Sequence, residues 1–221
     1  MFANTAYDTA HLLDTFVLVL SFALLYQRRL FAVLTTYAWQ ALCLAAAAAW
    51  QAYAQDAPHL YITAAIALVF KAVVIPLALH RIIVYLDIHR SIETALGIGP
   101  TMAVGVGLVA LSILLVLPVT AASGALTRES LAAALSVVLL GLLMMITRRN
   151  AVSQVVGFMS LENGLILAAV GVKGMPLVVE LSIAFSVMVA FIIFGIFFFH
   201  IRERFDTLDV HDMERFRGEE R

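Results

Sequence analysis

The sequence predicts an all-α, polytopic membrane protein with seven transmembrane helices, on three observations. Hydrophobic residues fill 63% of the 221 positions and charged residues 13%, which is too little polar surface to coat a soluble domain of this length. The apolar residues fall in runs of about 20, long enough to cross a bilayer as helix at roughly 1.5 Å per residue. Basic residues collect in alternate gaps between the runs, as they do in cytoplasmic loops.

Hydropathy puts the spans at 8–27, 31–53, 60–80, 98–118, 129–147, 151–171 and 177–201. Arg28, Arg29, Arg81, Arg90, Arg148, Arg149 and the tail arginines fall on one side, against only Arg128 and Lys173 on the other. The positive-inside rule therefore predicts an N-terminus outside and a C-terminus in the cytoplasm. The opening MFANTAYDTAHLLDTF has no basic stretch and carries Asp8 and Asp14. It does not read as a cleaved signal peptide, so the first span is expected to remain.

Four regions follow: a three-helix unit with its cytoplasmic connecting segment over 1–97, a connector helix and outer loop over 98–128, a second three-helix unit over 129–201, and a charged cytoplasmic tail over 202–221. Residues 81–93 mix charges with bulky apolar residues at helical spacing. They read either as a helix along the membrane surface or as a continuation of the third span into the cytoplasm. The tail alternates acids and bases around Phe205, Leu208, Val210, Met213 and Phe216, either as a solvated helix held by pairs such as Glu214 with Arg217 or as a docking strip for a cytoplasmic partner.

Shifting the chain by 120 residues lays Arg28-Arg29 over Arg148-Arg149 and His80 over His200. Both triplets of spans then share one rhythm, which suggests a parallel repeat of spans 1–3 and 5–7 with span 4 as connector. Glu162 overlies Leu42 and Lys71 overlies Phe191, so the acid and the base lie in different copies.

Those two charges are the strongest functional clue. Glu162 lies halfway along 151–171, a run with no other formal charge, and Lys71 lies near the centre of 60–79. An ionisable group at that depth costs on the order of 2.5–3.5 kcal/mol on insertion scales, so it is retained where it is paired, wet or moving protons. Desolvation raises a carboxylate's proton affinity and a neighbouring cation lowers it, so shifting the cation switches the acid between holding and releasing a proton. The competing reading is a static buried salt bridge that fixes helix packing. Asn163, Ser160, Ser182 and Ser186 are candidates to bind waters along a route, or simply to bond backbone and neighbouring helices. Asp14, in the outer half of span one, is either an ordinary interfacial acid or a pathway candidate, and His80, near the cytoplasmic end of span three, is a further candidate. Nine residues at about 100° each put His80 on the side of the helix opposite Lys71, which favours an interfacial anchor, and His200 has the same reading. Pro76 removes a backbone hydrogen bond close to Lys71, as at ion sites in broken helices or as a tolerated kink.

The remaining signals concern packing. Trp39, Trp50, Tyr53 and Tyr61 flank spans as interfacial aromatics. Ala45 to Ala49, Gly105, Gly107 and Gly141 offer smooth surfaces for close helix contact and for larger membrane neighbours. Cys43 is the single cysteine, so neither a disulfide framework nor a thiolate metal site is expected.

The stretch Thr147-Arg148-Arg149-Asn150, then Gly157, Glu162-Asn163, Lys173-Gly174 and Pro176 resembles the K-type subunit of respiratory complex I and the C-type subunit of multi-subunit cation/proton antiporters, over the last three spans. The whole length, with Arg204-Phe205, Leu208-Asp209 and the closing Arg215-Phe216-Arg217-Gly218, is similar to the hydrogenase-4 component E family. That resemblance implies a membrane subunit of a group 4 nickel–iron hydrogenase or formate hydrogenlyase complex, whose cytoplasmic arm performs redox chemistry while the membrane arm moves protons or sodium. In the K-type pattern the first membrane carboxylate comes two residues after the helix glycine, where this chain has Met159 and carries its acid instead at Glu162. The second aligns with Ser186, which cannot titrate, and Glu180 is the only acid in that span, near its outer end.

The expectation is thus a non-catalytic membrane-arm subunit in the bacterial cytoplasmic membrane, with Glu162, Lys71, Glu180, Asp14 and His80 as candidates for a proton or sodium route. Its expected partners are antiporter-like and K-type-like membrane neighbours, the lipid bilayer and, indirectly, the hydrogenase arm. No cofactor, metal or nucleic acid is expected on this chain. A purely structural scaffold and a subunit of a cation/proton antiporter are the alternatives. A retinal receptor is disfavoured because the seventh span has no lysine for a Schiff base.

Overall fold

A computed structural model describes residues 2–85, 96–120 and 125–171, and position 188. The elements are α1 (Phe2–Tyr26), α2 (Leu30–Ala54), α3 (His59–Ile66), a π-helical segment (Ala67–Val74), α4 (Ile75–Tyr85), α5 (Ile98–Val119), α6 (Ala125–Thr147) and α7 (Ala151–Gly171). There is no strand among the described residues. Six helical stretches are long and apolar enough to cross a membrane, with α3, the π segment and α4 forming one of them. The protein is an all-helical integral membrane protein, as expected for chains that must satisfy every backbone group inside lipid. The predicted seventh span apart from position 188, the outer loop around 172–176 and the tail lie outside the described residues. Helix continues at least to Tyr85 beyond the third span, and the rest of the 81–93 segment is likewise outside them.

Helices form here because long apolar runs meet few breakers, and the ends are set by polar punctuation. Asn150 caps α7, its Oδ1 accepting from the backbone N–H of Val152 at 2.9 Å and of Ser153 at 3.4 Å, the expected N-cap chemistry. Thr15, Thr35 and Thr147 donate to the carbonyls of His11, Phe31 and Leu143 four residues back, so these hydroxyls are satisfied by their own helices.

The helices α1 and α2 form one hairpin and α6 and α7 another. Helix α1 packs on α6, α2 on α7, the third span lies against α2, and α5 leans on α6 and α1. A shared apolar core takes Val17 from α1, Leu44 and Ala48 from α2, Leu60 from α3, Val137 from α6 and Leu167 from α7.

Glycines set how closely α6 and α7 approach. A Cβ at Gly141 would lie 2.5 Å from the Leu161 backbone nitrogen, and one at Gly164 would lie 2.8 Å from that of Val138. Gly157 faces Met145 and the Gly141 carbonyl at similarly short range. Backbone therefore meets backbone along the seam, where no side chain fits. Gly105 also fits the expectation, with Phe22 and Leu140 close by. Gly107 does not: nothing lies within 4 Å of its Cβ position, because two residues of helix, about 200°, turn it away from the face that holds Gly105. Ala47 and Ala48, expected to offer a smooth face to other subunits, are buried in this chain's own core.

Near Pro76 the third span widens into the π segment. Ile75 donates its N–H to the carbonyl of Phe70, five residues back, and Pro76 has no N–H to donate. The π turn is the local backbone's accommodation of that missing donor, and Lys71 sits inside it.

Overpacking gives a direct test of the seam. Gly141→Ala is expected to destabilise the protein by about 1–3 kcal/mol, whereas Gly107→Ala should stay within about 0.5 kcal/mol. Thermal unfolding of the two variants in mild detergent checks this, and equal losses would contradict the packing.

Candidate functional site

The two mid-membrane charges meet. Lys71 Nζ lies 3.1 Å from Glu162 Oε1, and both side chains are 1% exposed. The π segment supplies the lysine and α7 the glutamate, so the pair joins the third span to the glycine-seamed hairpin.

Amides extend the pair into a chain across the bundle. Lys71 Nζ donates to Asn163 Oδ1 at 3.0 Å, and Asn163 Nδ2 donates to Gln40 Oε1 at 3.1 Å. Gln40 Nε2 in turn donates to Ser21 Oγ at 2.7 Å and Ser160 Oγ at 2.9 Å. The Ser21 hydroxyl in turn donates a hydrogen bond to the Val17 carbonyl at 2.9 Å. All of these residues are buried. The amides cannot run the other way, because an ammonium only donates, so Asn163 must present its oxygen to Lys71 and its nitrogen to Gln40. One charge thereby fixes the polarity of a network drawn from α1, α2, the π segment and α7.

Tyr37 stands one turn before Gln40 on α2. It is fully buried, its hydroxyl has no hydrogen bond among the described residues, and it lies within electrostatic reach of Glu162. Such a group is uncommon in a well-satisfied interior.

A second polar cluster ties α1 to α6. Ser130 Oγ donates to Asp14 Oδ2 at 2.6 Å, with Asp14 buried, and His11 Nε2 lies 3.2 Å from Glu129 Oε2 at the exposed mouth. Beside it, a crevice of about 430 Å³ runs between α1, α5 and α6, past His11, Arg128, Glu129 and Ser136. The Ser136 hydroxyl lies 2.9 Å from Ser112 Oγ and 2.7 Å from the Ala132 carbonyl, and its single proton serves one of these acceptors at a time.

At the other end of α1, Arg148 lies buried in the loop between α6 and α7, where Nη2 donates to the carbonyls of Leu25 at 2.6 Å and Leu24 at 3.2 Å. A cation there satisfies helix-end carbonyls and the negative end of the helix dipole. Burial pulls its pKa down from the ordinary arginine value, yet arginine stays charged at physiological pH.

The sequence-predicted candidates are thus distributed unevenly. Glu162, Lys71, Asn163 and Ser160 come together. Asp14 belongs to the separate α1–α6 cluster, and its burial departs from an ordinary interfacial position. His80 is exposed and packs against Phe31 with ring centroids 4.8 Å apart and ring planes tilted by 48°. Glu180, Ser182, Ser186 and His200 lie outside the described residues. Gln40, Ser21 and Tyr37 carry no formal charge and were not singled out in the sequence, although a glutamine in the middle of an apolar span is a usable signal. Among the described residues no three His, Cys, Asp or Glu side chains converge as metal ligands.

Comparison with known proteins gives consistent relatives. The chain is 31% identical over 188 residues to hydrogenase-4 component E of Escherichia coli strain K12, covering 82% of this chain and 85% of that protein, and matches the Shigella flexneri protein of the same name equally. It is 28% identical over 199 residues to an uncharacterized protein of Mycobacterium tuberculosis, covering 89% and 90% of the two chains. No family model and no solved structure matches.

Breaking the pair from one side should be severe. Lys71→Met leaves a buried carboxylate uncompensated and is expected to cost about 3–5 kcal/mol. Adding Glu162→Gln to the same chain should recover most of that loss. A double-mutant cycle on detergent-solubilised protein measures it, and additive losses would show that the contact carries no coupling.

Proposed function

We infer the function from one premise: the chain belongs to the hydrogenase-4 component E family. A membrane subunit of a hydrogenase complex follows at the coarse level. Our finer reading is a membrane-arm subunit of a complex I-related assembly that takes part in proton or sodium translocation coupled to redox chemistry in other subunits. It would sit in the bacterial cytoplasmic membrane, N-terminus outside and C-terminus in the cytoplasm, beside antiporter-like and K-type-like neighbours.

The contact between Lys71 and Glu162 carries this reading. Two opposite charges enclosed at mid-membrane can pass a proton in a closed cycle. Glu162 takes a proton from one side, which removes the attraction holding the ammonium. Lys71 then releases its proton to the other side, and transfer from the Glu162 carboxyl to the Lys71 amine restores the ion pair. One proton has crossed, and each group has returned to its starting state. The 120-residue repeat fits the same picture: Gln40 and Ser160 occupy equivalent positions under the shift and hydrogen-bond to each other at 2.9 Å, as residues beside a two-fold axis would.

The scaffold reading draws on the same network, because Asn163 and Gln40 tie Lys71 to two further side chains, Ser21 and Ser160, and favour a fixed pair. The antiporter alternative turns on which subunits accompany this chain. Purified complex reconstituted into vesicles separates these readings. In complexes that assemble, Glu162→Gln is expected to lower ion movement per turnover by roughly tenfold or more, with turnover preserved when a protonophore is added. Unchanged ion movement in a normally assembled variant leaves only the scaffold, and co-purification without hydrogenase subunits would favour the antiporter.

A further inference from the structure

We propose that the ion handled at Glu162 is a proton and that the Lys71 ammonium excludes sodium by occupying its place as a tethered cation. The inference rests on the translocation reading above and names the ion for that site.

A hard cation close to calcium in size, as sodium is, binds through several oxygens at roughly 2.3–2.6 Å. Five of the cluster's oxygens already face nitrogen donors. Glu162 Oε1 and Asn163 Oδ1 both face Lys71 Nζ, at 3.1 and 3.0 Å. Gln40 Oε1 accepts from Asn163 at 3.1 Å, and the Ser160 and Ser21 hydroxyls accept from Gln40 at 2.9 and 2.7 Å. The polarity imposed by Lys71 therefore aims donors at each of these oxygens, and N–H groups repel a cation.

Charge makes the exclusion stronger. A sodium ion on Glu162 would lie beside an ammonium with both shielded from water, where Coulomb repulsion is far larger than in solvent. A proton avoids both difficulties, since it needs one lone pair and adds no volume. Removing the ammonium reverses the argument. Asn163 is then free to rotate its amide, and oxygens from Glu162, Asn163 and the buried hydroxyl of Tyr37 on α2 become available to a small cation.

Labelling of Glu162 by dicyclohexylcarbodiimide, which reacts with protonated carboxyls in membranes, tests this on the purified complex by mass spectrometry. Sodium chloride at about 100 mM is compared with choline chloride so that ionic strength is constant. In the unaltered complex, sodium should change the labelling rate by less than about twofold, turnover should move protons in sodium-free buffer, and turnover in buffer supplied with ²²Na⁺ should not accumulate the isotope. In Lys71→Ala, sodium should slow labelling by roughly fivefold or more. Sodium protection of the unaltered protein, or ²²Na⁺ uptake abolished by Glu162→Gln, overturns the inference while leaving translocation standing. An assembled Lys71→Ala protein with no sodium effect overturns the excluding role of Lys71, and if that variant does not assemble the unaltered complex decides alone. Ion movement undiminished in Glu162→Gln overturns the translocation reading and this inference together.

Discussion

The ion pair between Lys71 and Glu162 constrains the rest of the described bundle. Neither charge tolerates lipid, and neither is stable alone in a dry interior. Meeting at 3.1 Å requires the third span and α7 to present particular faces to each other at one depth. Helix α2 is tied in as well, since Gln40 bonds to Ser160 on α7 and to Ser21 on α1. Polar contacts thus specify rotation and register, which interchangeable apolar surfaces in a membrane specify weakly. The glycine seam supplies the complementary condition by letting α7 approach α6 closely enough for its polar side to turn inward on one rigid hairpin.

The lysine itself stands on irregular backbone. The π segment surrounds Lys71, and Pro76 follows directly after it. A wider turn is locally less stable than α-helix and recurs at functional positions. At the opposite extreme is the loop between α6 and α7, where Arg148 is pinned to the last carbonyls of α1 and Asn150 caps α7. The chain therefore combines a firmly tied hairpin, bearing the acid, with a more deformable helix, bearing the base.

What the sequence made legible follows from charge. Glu162 and Lys71 stand out because an ion is costly in an oily run, and six of the seven expected spans correspond to observed membrane-length helices. Hydropathy does not specify how a helix is rotated about its axis. Gly105 and Gly107 look equivalent in sequence, yet one meets Phe22 and the other meets nothing. Ala47 and Ala48 likewise turned out to serve this chain's own core. Gln40 and Ser21 escaped notice because a neutral polar residue in a span usually bonds its own backbone, and only tertiary structure shows that Gln40 joins three partners on two other helices. Arg148 read as an ordinary cytoplasmic loop charge, and its burial against α1 depends on a contact 123 residues away.

The level of the carboxylate on α7 matters as much as its side of the helix. Three residues along an α-helix is a turn of about 300°, so Glu162 lies only some 60° round from Met159 on the same side and less than one pitch away. Met159 is fully buried, and Glu162 is 1% exposed, so both positions face the interior of this bundle. An acid at either position would lie on the enclosed face. At the level of Glu162 the next residue is Asn163, whose amide oxygen accepts from Lys71. Moving the acid to position 159 would shift it by almost a full turn relative to Asn163 and Ser160, and would separate the charge from the amide chain that orients its partner.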